Sequence, residues 1–167
     1  SYRGALASVR LNKAQTQALQ QVSRQQGVTL FMTLFTAYAT LLHRLSGQAE
    51  VIIGIPAAGR GMPDSERVVG YCAHLLPIRH TLAGDPSFSA LLQAMRATLL
   101  TAYEHQDYPF ARLLNKLTVV RDLSLAPVIS STFNLTQQPT LPPFAGLTAT
   151  LGPRPTSFVD HELSVNV

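Results

Sequence analysis

Apolar positions recur at helical spacing in four stretches of the chain. Ala14, Ala18, Leu19 and Val22 follow Asn12, a residue suited to cap a helix start, and precede Gly27, so a helix is predicted between them. Thr29 opens a second, far more apolar stretch that runs to Ser46 and stops at Gly47. Val28 to Leu42 is almost uncharged, but its length falls short of the ~20 residues of a membrane span. Thr29, Thr33, Thr36 and Thr40 also interrupt it, so it reads as a helix buried on most sides. Asp85-Pro86-Ser87 starts the most regular helix, with Phe88, Leu91, Leu92, Met95, Leu99, Ala102 and Tyr103 on one face. Ser89, Gln93, Arg96 and Glu104 take the other. A shorter helix follows, with Pro109 in its first turn and Phe110, Leu113, Leu114 and Leu117 inward. Asp107 stands where a carboxylate can accept N–H bonds from that turn.

Strand patterns lie between these helices. Residues 5–11 alternate weakly and predict a strand. Val51 to Ile55 is a β-branched run of the buried-strand type, closed by Pro56. Gly59, Gly61 and Pro63 mark the following stretch as a loop. Tyr71 to Leu82 is a strand whose Pro77 puts it at an edge or a bulge, and Val128 to Leu135 is another. Residues 136–158 hold five Pro and two Gly and read as an extended arm laid across a surface, with Leu147 to Leu151 a short strand inside it. Leu163, Val165 and Val167 alternate with Ser164 and Asn166, so the chain is expected to end inside a strand, as a piece of a larger domain. Helices interleaved with strands predict a two-layer α/β sandwich with a mixed sheet.

Composition narrows the function classes. The 167 residues are 46% apolar and only 13% charged, against the ~25% charged of ordinary globular chains. That excludes disorder and suggests that part of the surface meets a partner. The net charge of +4 comes from thirteen scattered basic residues, eleven of them Arg, with no basic run and no Trp. A nucleic-acid groove with interleaved aromatics is not expected, nor is a membrane. The single Cys72 excludes an internal disulfide and suits a reducing cytoplasm.

A self-contained active site is not legible. His43 ends the apolar helix, where a cation is favourable, while His80 and His161 fall in strand-like stretches; all three read as structural. No HExxH, CxxC, GxSxG, P-loop or GxGxxG pattern is present, so no metal site is expected. Cys72 reads as an inert, buried thiol.

Three segments are more specific than scaffold requires: Val69-Gly70-Tyr71-Cys72-Ala73-His74-Leu75-Leu76-Pro77-Ile78-Arg79, His105-Gln106-Asp107-Tyr108-Pro109-Phe110, and Arg121-Asp122-Leu123-Ser124-Leu125-Ala126-Pro127-Val128. In order and spacing they resemble the last three core motifs of the condensation domains of nonribosomal peptide synthetases, (I/V)GxFVNTLPLR, (H/N)QDxPFE and RDxSRxPL. Ile53-Gly54-Ile55-Pro56-Ala57-Ala58-Gly59-Arg60 is similar to the family's VGTPVAGR, and Phe133-Asn134-Leu135 to its FNL.

The resemblance implies a chloramphenicol-acetyltransferase-like half-domain over residues 1–167, the C-terminal half of a V-shaped condensation domain. Residues 55–69 would be its floor loop and 136–158 its latch-like crossover arm. The family's catalytic HHxxxDG is not in this sequence, so no catalytic residue is assigned here and the chain alone is expected to be inactive. The implied reaction joins a carrier-bound acyl or peptidyl thioester to a carrier-bound aminoacyl acceptor. No cofactor would bind directly, because 4'-phosphopantetheine arrives on the carriers. The implied partners are the N-terminal half, the upstream and downstream peptidyl carrier domains and the adjacent adenylation domain. Gly70, Cys72, His74, Leu76, Ser131 and Phe133 are the implied cleft and tunnel residues. His74 stands in place of the family's Asn and could bond a substrate carbonyl, and Leu75 replaces its Thr. Arg60, Arg79, His105, Gln106, Asp107, Pro109, Arg121 and Asp122 are implied as structural motif residues, Arg79 through an ion pair across the sheet. Two alternatives stay open: a non-catalytic docking module, and an epimerization, heterocyclization or free acyltransferase half.

Overall fold

A computed structural model describes residues 3–59, 64, 67–117, 128–137, 144–150, 152 and 161–167. Helices α1 (Lys13–Gln25) and α2 (Leu30–Ser46) lead into strands β1 (Glu50–Ala57) and β2 (His74–Thr81). Helices α3 (Phe88–Glu104) and α4 (Phe110–Lys116) follow, then strands β3 (Ser131–Asn134) and β4 (Leu163–Asn166). The strands form one mixed sheet in the order β2-β1-β3-β4. β1 and β2 are antiparallel, pairing Glu50 with Thr81 through to Ala57 with His74. β3 is parallel to both β1 and β4.

The helix starts follow local chemistry. Asn12 and Gln15 form a reciprocal capping box. Thr29 caps α2 and Ser87 caps α3, each accepting a backbone N–H. Gly47 ends α2 in the left-handed region. His43 donates from Nδ1 to the Gln48 carbonyl at 2.6 Å, closing the turn after α2.

The core lies between the sheet and α2 and α3. Val51, Ile53, Ile55, Ala57, Leu76 and Ile78 face Phe35, Ala39, Leu92, Met95 and Leu99. The threonines of α2 are buried without loss because they bond back to their own helix: Thr36 donates to the Met32 carbonyl at 2.7 Å and Thr40 to that of Thr36 at 2.8 Å. Phe31, Phe35 and Tyr38 surround Phe133 at centroid distances of 5.5–5.6 Å. The Tyr38 hydroxyl lies 2.6 Å from that of Ser131. Burial raises the Tyr38 pKa, and the Ser131 bond opposes part of that rise.

Several expectations are corrected. Residues 5–11 form no strand; Leu6 and Val9 are exposed and no neighbouring strand pairs with them among the described residues. In α1, Ala14, Ala18 and Val22 are exposed, and the buried residue is Ser23, bonded to Leu19 and Thr33. α1 packs on α2, with the Ser23–Thr33 bond joining the two. Pro56 lies inside β1 rather than closing it, because the β3 ladder runs beside Ile53 and Gly54 only and asks nothing of Pro56. Pro77 does lie in an edge strand. The strands at Tyr71–Leu82 and Val128–Leu135 shorten to β2 and β3. Residues 147–150 hold no strand; Leu151, and with it most of the arm at 136–158, lies outside the described residues. Asp107 makes no capping bond, since Pro109 is the N-cap of α4.

Replacing Phe133 with Ala is expected to cost about 3–5 kcal/mol, measured by denaturant unfolding. His80 is buried on the helix side, its Nε2 has no hydrogen-bond partner among the described residues, and burial lowers its pKa. The unfolded chain therefore binds this proton more readily. Stability present at neutral pH should fall as pH drops through about 6.5, and level off below the folded-state value. His80→Leu should remove that acid-dependent loss, read from midpoints between neutral and acidic pH.

Candidate functional site

The C-terminal end of β1 and the N-terminal start of β2 form one end of the sheet, opposite the short turn into α3. α3 runs back along β2, so its end and the corner before α4 return to this same end. Two of the motif segments thereby converge. His74, the first residue of β2, donates from Nε2 to the Gln106 carbonyl at 2.8 Å. Gly59, just past β1, has φ +62, and a Cβ built there would overlap the Cys72 carbonyl oxygen and lie 3.2 Å from His74 Nδ1. Only glycine fits both the backbone angle and the space.

The α3–α4 corner is held by its own bonds. His105 donates from Nδ1 to the Thr101 carbonyl at 2.9 Å, and the Gln106 N–H reaches the Tyr103 carbonyl at 3.3 Å. Lys116 lies 5.6 Å from the Tyr108 ring centre. Pro109 caps α4, and Asp107 is exposed. Arg79 forms an exposed ion pair with Glu50 at 2.7 Å across the β1–β2 pair; that pairing lowers the Glu50 pKa and raises that of Arg79. Arg60, Arg121 and Asp122 lie outside the described residues.

Of the implied cleft residues, the structure brings together Cys72 and His74, both half-buried. Gly70 lies in the same loop, exposed, and a Cβ there would meet nothing. Leu76, Ser131 and Phe133 are buried in this structure, Ser131 bonded to Tyr38 and Phe133 set among the rings of α2. The alternation of strand side chains turns them to the helix face, where Leu76 and Phe133 pack in the core. Gly59 and the main-chain carbonyl of Gln106 are the participants that sequence reasoning missed. The glycine-rich stretch was a signal for the first; a carbonyl's direction leaves none.

A separate cavity of about 420 Å³ lies at the far end of β2, lined by Thr40, His43, Arg44, Leu82 and the start of α3. Among the described residues no group of three or more His, Cys, Asp or Glu could hold a metal. No single helix there is long and apolar enough to cross a membrane.

The family model for the condensation domain matches residues 1–154. The chain belongs to the condensation-domain family of nonribosomal peptide synthetases. It is 44% identical over 117 residues to tyrocidine synthase 3 of Brevibacillus parabrevis, a match covering 70% of this chain and 2% of that protein. Among solved structures it is similar to the condensation domain from the monacolin K polyketide synthase MokA, with TM-score 0.68 and 26% identity over 76% of this chain and 30% of that one. SgcC5 protein from Streptomyces globisporus matches with TM-score 0.71 and 27% identity, over 93% of this chain and 38% of that one. The chain thus spans a small part of the curated synthetase and about a third of the solved chains. The fold is the mixed α/β, chloramphenicol-acetyltransferase-like fold of these neighbours.

Gly59→Ala should destabilise the β1–β2 loop by more than about 1 kcal/mol, because Ala is incompatible with the positive φ. Faster cleavage between Ala57 and His74 in limited proteolysis is the readout.

Proposed function

We propose that this chain is the C-terminal lobe of a condensation domain that forms an amide between two carrier-bound substrates. The observation that carries the reading is the meeting of two family motifs at one end of the sheet, at His74, Gly59 and Gln106. The loop from that end also exposes Val68, Val69 and Tyr71, at 52, 100 and 95%. Large apolar side chains this bare favour a covering partner, and the N-terminal lobe is the partner proposed.

In the reaction, the acceptor amine attacks the donor thioester carbonyl, the C–N bond forms, and the C–S bond breaks to release the carrier thiol. An imidazole from the HHxxxDG segment of the other lobe would take the amine proton. The contribution of this chain is to wall the cleft and so hold two tethered reactants at reacting distance. Substrates arrive on the 4'-phosphopantetheine arms of the upstream and downstream carrier domains, the acceptor being loaded by the adjacent adenylation domain. The assembly is proposed to work in the cytoplasm. Residues 55–69 and 136–158 keep their floor-loop and latch roles in this proposal.

The test uses the full condensation domain with loaded carriers. Amide product should form, fall about 100-fold or more when the second His of HHxxxDG is replaced, and be absent with the 167-residue chain alone. Carrier binding without amide formation would instead establish the docking module, and condensation by this chain alone would overturn the lobe assignment.

A further inference from the structure

His74 is wedged between stretches that are distant in sequence. Its Nε2 lies 2.8 Å from the Gln106 carbonyl, in the corner between α3 and α4. A carbonyl only accepts, so Nε2 carries the proton of this bond. Nδ1 faces the Gly59 loop, 3.2 Å from where a Cβ on that residue would lie, beside the Cys72 main chain. The ring is half-buried. With the Nε2–H committed in this way, that donor is not free for a substrate carbonyl.

We propose that His74 is a positioning residue for the condensation reaction. It holds the β1–β2 loop and the α3–α4 corner in one fixed arrangement, through one donated hydrogen bond and one packed ring edge, and does not touch substrate. This rests on the amide-forming reading above. This bond ties the start of β2 directly to the main chain of the α3–α4 corner.

The chemistry predicts which replacements succeed. A Gln side chain can carry an amide N–H out to the place of Nε2, whereas Phe fills the space and donates nothing. In the full synthetase, His74→Phe should lower kcat roughly ten- to a hundredfold while the KM for the carrier-bound acceptor stays within about threefold. His74→Gln should recover kcat to within about threefold of the parent. Hydrogen exchange followed by mass spectrometry should show residues 58–59 and 105–108 exchanging faster together in His74→Phe and returning toward the parent in His74→Gln. Unchanged kcat in His74→Phe overturns the proposal, as does a His74→Gln no better than Phe, or exchange that rises in one segment without the other. If the parent enzyme forms no amide, the amide-forming reading fails, and the exchange experiment still decides whether His74 couples the two segments.

Discussion

Phe133 of β3 is enclosed by three rings of α2, and beside it the Tyr38 hydroxyl meets that of Ser131. Edge-on and tilted ring contacts of this kind add about 0.5–1.5 kcal/mol per pair beyond simple area burial. Their geometric effect matters more. β3 runs parallel to β1, and a parallel partner cannot be delivered by a tight turn. The aromatic cluster fixes where β3 lies against α2, and so fixes β1, β3 and β4 as one surface. The Ile129 side chain, just before β3, lies 2.8 Å from where a Cβ on Gly54 of β1 would be, so only glycine leaves it that room.

That surface determines which loops share an end. β1 and β2 are antiparallel over eight paired positions, so the loop joining them leaves where β1 stops and β2 begins. The connection from β2 to α3 is short, which forces α3 to run back along β2. Its C-terminal corner therefore returns to the same end as the β1–β2 loop. The meeting of His74 with Gln106 follows from this path. Gln93 on α3 adds a tie in the other direction, donating to the Gln26 carbonyl at 2.8 Å where α1 ends. The helix layer is thus tied both near the start and past the end of α3, leaving the loop end shaped by rigid elements.

Much of this was legible in the residues. The caps at Asn12, Thr29 and Ser87, the stop at Gly47 and, apart from the exposed Phe88, the inward face of α3 depend on chemistry within a few positions, and the structure reproduces them. Residues 5–11 misled because alternation alone does not make a strand without a neighbour to bond. In α1 the apolar pattern misled: Ala14, Ala18 and Val22 are exposed, while Ser23 is buried, satisfied by its bonds to Leu19 and Thr33. Ser131 and Phe133 are buried because which face of a strand a residue occupies depends on where the helices lie. That same rule divides the Tyr71-to-Arg79 stretch, in which Leu76 turns inward and Arg79 outward to Glu50.

The sequence by itself determined the helix boundaries, the mixed α/β class and the family, since capping, periodicity and ordered motifs are encoded by near neighbours along the chain. Tertiary structure alone decided the strand order, the burial of Ser131 and Phe133, and the contact between His74 and the main chain at Gln106. These depend on the sides from which distant segments approach one another, and side-chain identity does not specify that direction until the sheet and helices have packed.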